Sequence, residues 1–359
     1  MSLPPSGEIP EGAIRFNTDS QRLEFYAQGE WLIMSTDTPN LGNAMAPQEP
    51  GPRGLFAGGY HPGAFSNTID YINISSRGNS QDFGELGNKA TGGGGVGSRT
   101  RGLFAGGYAG PSPYAVAQID FVTFASAGQD SGDFGDVANS GHIRKAAVGN
   151  ETRGMWGGGQ TEPGQAVTTV LNYVTIASKG DSKVFGDLSV GRTRFSGAGS
   201  ATRGIFIGGF KGSPSVYYNT IDYVNISTTG QTADDFGDLM DVWTWTGACS
   251  NSTRLLMGGG DNASGSTAIM EYIQIQTRGN SMTFGDLNAV IDTGTYANAG
   301  VSSPTRGVFN TGLFKNPGAT YHNVIYYVQI ASTGDALDFG DLSQKRYGNK
   351  SCSNAHGGL

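Results

Sequence analysis

Six carboxylates stand in one setting along this chain. Glu85, Asp136, Asp187, Asp238, Asp286 and Asp341 each follow a Phe-Gly pair and precede Leu or Val. Six arginines recur in step with them: Arg53, Arg101, Arg153, Arg203, Arg254 and Arg306. Gathered at one point, such acids would suit proton transfer or cation binding. Residues that recur in every unit serve what every unit needs, so the acids are read as turns or unit-to-unit hydrogen bonds. The arginines are read as structural partners, in Arg–carboxylate contacts. The four histidines, His61, His142, His322 and His356, show no metal-ligand spacing. His61 and His322 are taken as loop residues rather than a shared metal site. No Gly-x-Ser-x-Gly elbow is present, and Gly92-Gly93-Gly94-Gly95 precedes no helix, so it is no phosphate loop. The expectation is no catalytic residue, no metal and no cofactor.

The elements that must position these residues follow from the repeat. The tag phenylalanines Phe83, Phe134, Phe185, Phe236, Phe284 and Phe339 are separated by 51, 51, 51, 48 and 55 residues. A period near 50 with several short strands per unit points to a radial all-β array, a β-propeller of six blades. Composition agrees: 59 of 359 residues are Gly, charged residues are 15% and hydrophobic residues 37%. The fourth unit is the clearest. Phe195–Ser200 is a small-residue inner strand, Gly204–Gly209 a second strand ending in a glycine pair, Thr220–Ile226 an alternating third, and Asp235–Leu239 the last. The glycine pair recurs as Gly58-Gly59, Gly106-Gly107, Gly157-Gly158 and Gly258-Gly259, and breaks at Thr311-Gly312. Cys249 and Cys352 fall at equivalent positions of different units, too far apart for a disulfide, and read as small buried residues.

The first unit lacks an inner strand of its own. Pro-rich residues 46–52 before Arg53 read as a linker, and residues 53–359 as the propeller. The spare copy lies at the other end. Tyr347–Asn354 repeats the phrase of Thr244–Asn251, so residues of about 345–354 are expected to complete blade 1 and remove its open edge. The loops between second and third strands differ in every unit, are aromatic, and are expected on the face away from the linker. They supply the candidate binding residues: Tyr60, His61, Tyr108, Tyr114, Phe210, Tyr217, Tyr218, Phe314, Tyr321 and His322. Trp243 is expected to reach this face and Trp245 to lie in the core.

Residues 1–45 stand outside the repeat. Gly12–Asp19, Leu23–Tyr26 and Glu30–Met34 read as three short strands, too few to be stable without a partner surface. Phe16, Phe25, Tyr26 and Trp31 are the candidate anchoring residues, and a homo-oligomer such as a trimer is expected. The net charge of −7 and the absence of a basic stretch argue against nucleic acid. No apolar run spans a bilayer, and Met1–Glu8 carries no secretion signal, so folding in a reducing cytoplasm is expected.

The arginine-bearing segment, the run ending in Gly-Gly and the acid-aromatic pairs Asp70-Tyr71, Asp120-Phe121, Asp222-Tyr223 and Glu271-Tyr272 together resemble the kelch repeat. The usual Trp of the last strand is replaced by the tag Phe. Ile14–Asp19, Leu23–Tyr26 and Gly29–Trp31 resemble a small module of tailed-phage fibre and virion proteins. The tagged units look like those of virion proteins from marine, particularly cyanobacterial, phages. These resemblances imply a non-enzymatic virion structural protein, a tail fibre or capsid-attached fibre, assembled in the host cytoplasm. Residues 1–45 would hold other virion proteins, and the variable face a host glycan, a host protein or a neighbouring virion protein. The alternatives are a capsid decoration protein without a receptor role, a glycan-active enzyme on a propeller scaffold, and a cellular kelch scaffold.

Overall fold

The computed structural model describes residues 9–17, 22–27, 29–33, 51–112, 114–138, 141–287, 294–296, 298–314 and 320–359. The chain divides into two compact units, Met1–Glu49 and Pro50–Leu359. All the regular structure described is β. Linker residues 46–50 lie outside the described residues, as do 315–319 of one candidate loop.

In the first unit Ile14–Asn17, Arg22–Ala27 and Glu30–Ile33 form an antiparallel sheet. Residues opposite each other in register share a face. Ile14, Phe25 and Leu32 are therefore aligned beside Phe16 and Leu23. On this face Ile14 and Phe16 are 62% and 59% exposed. The other face carries Arg15 bonded to Glu24 at 2.8 Å, with its guanidinium over Trp31, whose ring meets Tyr26 edge-on. The two bonds to Glu24, from Asn17 and Arg15, hold its carboxyl below the ordinary range.

The second unit repeats one antiparallel sheet six times. Each has a four-residue inner strand, a strand opened by the recurring arginine, a third strand, and a last strand ending in the tag acid. Sheet 2, for example, runs Gly94–Gly97, Arg101–Ala105, Gln118–Thr123, Gly132–Asp136. The inner strands of sheets 3 to 6 are Ala146–Gly149, Ser196–Gly199, Gly247–Ser250 and Ala299–Ser302. In sheet 1 the inner strand is Lys350–Ser353 from the C-terminus, paired with Arg53–Ala57 in the register Lys350↔Ala57 to Ser353↔Gly54.

Alternation along each second strand sends successive side chains to opposite neighbours. Leu55 and Ala57 join Phe104 and Val122 of sheet 2, while Phe56 joins Val301 and Val308 of sheet 6. Further clusters lie between sheets 2 and 3, 3 and 4, 4 and 5, and 5 and 6.

The tag is a hook onto the next sheet. Its Phe and acid carbonyls accept backbone N–H bonds, as in Gly279→Phe236 and Ser281→Asp238, each 2.9 Å. The last sheet hooks the first through Gly78→Phe339 at 2.9 Å and Ser80→Asp341 at 2.8 Å. The tag glycine fits because a Cβ at Gly237 would meet the Gly279 carbonyl oxygen at 2.5 Å, at φ +150°. The unit-to-unit bonds thus run through the tag backbone rather than the acid side chain.

Among the described residues the recurring arginines do not pair with carboxylates. Arg203 donates to the carbonyls of Ile275 at 2.7 Å and Gln276 at 2.9 Å in the next sheet, and Arg306 to Ile74 and Ser75 at 3.0 and 2.7 Å. Each also lies over an aromatic ring of its own sheet, as Arg203 over Tyr223 at 5.2 Å. Donor-rich Arg suits several carbonyls at once. Two glycine pairs sit one residue later than expected. The positive-φ pairs are Gly158-Gly159 and Gly259-Gly260, because sheets 3 and 5 carry three-glycine runs whose first glycine keeps an ordinary φ.

Candidate binding site

The loops between second and third strands fold as short hairpins: Tyr60–His61 with Ala64–Phe65, Phe210–Lys211 with Val216–Tyr217, and Leu313–Phe314 with Thr320–Tyr321. In sheet 5 the two strands lengthen to Arg254–Asn262 and Gly265–Gln274. Bridges tie these hairpins to the segments leading into the inner strands: Tyr60↔Tyr347, Thr91↔Tyr108, Thr193↔Phe210 and Thr244↔Asp261. The hairpins therefore share one face with the starts of the inner strands.

Buried carboxylates anchor several of these leading segments. Asp70 accepts from Arg346 at 2.9 Å and Asp222 from Arg192 at 3.0 Å, all four side chains fully buried. Burial pushes the Asp222 carboxyl up and both guanidiniums down, with each ion pair opposing its shifts. Glu271 plays this part in sheet 5, taking Trp243 Nε1 at 3.1 Å and the Met240 N–H at 3.0 Å. Trp243 is thus core, only 6% exposed, while Trp245 is half-buried at a cavity, the reverse of the sequence expectation. The buried acceptor on Glu271 decides this.

The candidate aromatics divide. Tyr60, Tyr108, Tyr114 and Tyr321 are half-buried and belong to a run of rings that also takes in Phe65 and Tyr347. Tyr321 to Tyr347 and Tyr347 to Tyr60 are both 5.7 Å, Phe65 to Tyr108 is 5.6 Å, and Tyr108 stacks on Tyr114 at 6.3 Å. Phe210 and Phe314 are buried: Phe210 packs on Tyr217 at 4.9 Å, and Phe314 meets the His322 ring at 4.2 Å. They support the face and offer it no surface. His61, Tyr217, Tyr218 and His322 are half-buried. Burial and Lys345 lower the His322 pKa.

A cavity of about 120 Å³ opens among the starts of the inner strands. Its wall is largely small and polar: Gly92–Gly95, Ser196, Gly197, Thr246, Asn298, Gly300 and Ser351. A smaller cavity of about 60 Å³ shares Gly95, Gly197, Gly300 and Ser351 and ends at His356. There the Gly358 N–H donates to Nδ1, so Nε2 carries the proton given to Gly97 O at 2.8 Å.

Sequence reasoning missed the rim of the larger cavity. In five of the six sheets the residue two before the inner strand takes a left-handed backbone, and in sheet 6 that position lies outside the described residues. Glycine fills it at Gly92 (φ +69°) and Gly348 (+66°), but Arg144, Arg194 and Trp245 each sit at +58°. Strain of about 1–3 kcal/mol each is expected for such residues. Backbone bonds link Arg194 N–H to Arg144 O, and Trp245 N–H to Arg194 O at 2.7 Å. The Arg144 and Arg194 guanidiniums lie 5.4 and 5.5 Å from the Trp245 ring centre. Aligning the units on Gly92 and Gly348 would have exposed this substitution of glycine.

Compared with known proteins, the chain matches no family model and no curated protein. Among the described residues no group of three or more His, Cys, Asp or Glu is placed to hold a metal ion, and no helix is long and apolar enough to cross a membrane.

Proposed function

We propose that residues 50–359 form a closed, kelch-like propeller of six blades and serve as the binding head of a non-enzymatic virion appendage, a tail fibre or capsid-attached fibre. Closure is supported by the sixth hook, Gly78 onto Phe339, and by the hydrophobic cluster shared by sheets 6 and 1. One observation carries the recognition reading. The parts that recur in every unit are spent on sheet-to-sheet bonds, while rings and charges that differ between units converge on one face around a cavity. Rigid aromatic rings on a scaffold are contact material. The repeat acids do not converge there. Each tag acid stands on the last strand of its sheet, the opposite end from the inner strand.

In this reading the first unit is the anchor. Ile14, Phe16, Leu23 and Leu32 give its sheet an apolar face that asks for a partner surface, either copies of the module or another virion protein. Phe16 and Phe25 lie on that face, whereas Tyr26 and Trp31 brace the opposite one.

Gold-labelled antibody against residues 51–359, applied to intact phage particles, tests the assignment by electron microscopy. Label at the tail or at fibres on the head is the expected result. Particles without label would remove the virion reading, and label over the whole head shell would replace an appendage by a decoration protein.

A further inference from the structure

Two guanidiniums share one indole at the cavity rim, and of the two only Arg144 has an ion pair among the described residues. Arg144 Nη1 reaches Glu162 at 3.3 Å. Arg194 has no ion pair among the described residues, and its Nε is buried without a hydrogen-bond partner. Its positive neighbours are Arg144 and, through Arg144, Lys145 on the cavity wall. Glu162 and Asp261 are the acids that act on it from the adjoining hairpins. Burial first, then the charge of Arg144, brings the Arg194 pKa down to about 10. An anion entering beside Arg194 would relieve both effects. Arg144, Arg194 and Trp245 fall in consecutive units and bring these two cations and this ring together, while Gly92 and Gly348 keep glycine at the same turn and Ala297, the corresponding residue of sheet 6, lies outside the described residues.

The rest of the rim says what the anion is attached to. Tyr347 and Tyr108 lie close enough to Arg144 to act on its charge, so the run of tyrosine rings meets the cationic side of the same rim. The cavity approaches the ~150 Å³ that accepts a single six-membered ring. Its wall of glycine backbone, Ser, Thr and Asn suits hydroxyl groups. The inner-strand edges are themselves tied across units, as Ser351 Oγ donates to Gly300 O at 2.9 Å and Ser302 Oγ to Ser250 O at 2.7 Å, so the hydroxyl-bearing wall is fixed in place. An extended acidic peptide would need a groove, and a cavity of about 120 Å³ is too small to hold one. We infer that the mouth of the cavity binds an acidic saccharide: Arg194 and Arg144 take the carboxylate or sulfate of one sugar ring, and the tyrosines its apolar face. This rests on the recognition reading and names the ligand class of that face.

The test is titration calorimetry of the full chain with four probes: an oligogalacturonate, a heparin-derived sulfated oligosaccharide, neutral maltopentaose and an Asp/Glu-rich peptide. Binding of either acidic oligosaccharide, at least tenfold tighter than maltopentaose and weakened by salt, is expected. Which of the two binds separates carboxylate from sulfate. Arg194→Gly should weaken that binding tenfold or more without lowering Tm, since glycine suits φ +58°. Arg194→Gln keeps the side-chain bulk and should weaken it similarly. The inference is overturned by equal binding of maltopentaose, by preference for the peptide, by no binding of either acidic probe, or by unchanged affinity in both variants. Its failure is distinguishable from failure of the virion reading, because antibody labelling of particles does not depend on the sugar.

Discussion

Lys350 opens the inner strand of sheet 1 with its ammonium fully enclosed and Nζ without a hydrogen-bond partner. Burial lowers its pKa to about 8, against the pull of Asp120. Asp120 keeps bonds from Ser131 at 3.1 Å and Gln118 at 2.9 Å, so it does not depend on Lys350 alone. An unfolded lysine holds its proton to about pH 10.4. Between pH 8 and 10 the unfolded chain therefore binds the extra proton, and the Lys350 contribution to stability rises with pH by about 1.4 kcal/mol per unit. Below pH 8 both states are protonated and the whole cost of burying the charge is present. Against Lys350→Met, the wild type should thus gain relative stability from pH 8 to 10, by urea unfolding at fixed salt. Lys145 and the two buried thiols titrate in both proteins and cancel. A constant difference across that range would mean that Lys350 is ordinarily solvated. Nothing local in Gly348-Asn349-Lys350-Ser351 announces this, because the enclosure comes from segments over two hundred residues away, among them Gly93 and Gly107.

At the level of the element, the Phe-Gly-acid tag shows how a strand end is shaped by its neighbour. Gly237 and Gly265 have similar φ, +150° and +141°, but a Cβ at Gly237 would strike the Gly279 backbone whereas one at Gly265 meets nothing within 4 Å. Both alanine variants carry the backbone strain, and only Gly237→Ala adds the clash. Gly237→Ala is expected to cost about 1–3 kcal/mol more than Gly265→Ala in chemical unfolding, the size of an overpacking cost, since the backbone strain is common to both. Equal costs would mean that the tag glycine serves its own strand alone. The tag itself was plain in the sequence, and so were the strands, from alternation and punctuation by glycine. The acceptors of the recurring arginines were not. A carbonyl has no residue identity, so Arg203 bonding to Ile275 and Gln276 leaves no signature at those positions.

At the scale of the molecule, the C-terminal strand is where chain order and spatial order part. Residues 345–359 supply the inner strand of sheet 1, the Arg346 partner of buried Asp70, and His356 beneath the inner strands. Deleting them leaves Asp70 buried without its cation, a loss of about 3–5 kcal/mol on its own, and strips Arg53–Ala57 of one neighbour. Residues 50–359 of the full chain are expected to unfold in one cooperative transition and the truncated chain to lose it, followed by circular dichroism and calorimetry. An unchanged Tm in the truncated protein would refute a closing role for this strand.

The sequence by itself determined the all-β class, the six-fold repeat, the strand positions, the burial of Cys249 and Cys352, and the pairing implied by the repeated Cys-Ser-Asn phrase. All of these are periodic or local, and hydrophobic alternation and glycine punctuation record them directly. Tertiary structure alone decided which of two neighbouring tryptophans is core, which loop rings are buried, and that Arg144, Arg194 and Trp245 meet at one rim. Those residues lie about 50 apart in the chain and come together only because units stacked side by side bring equivalent positions into contact. A repeat fold writes its scaffold many times over and its site once per unit, each time in different letters.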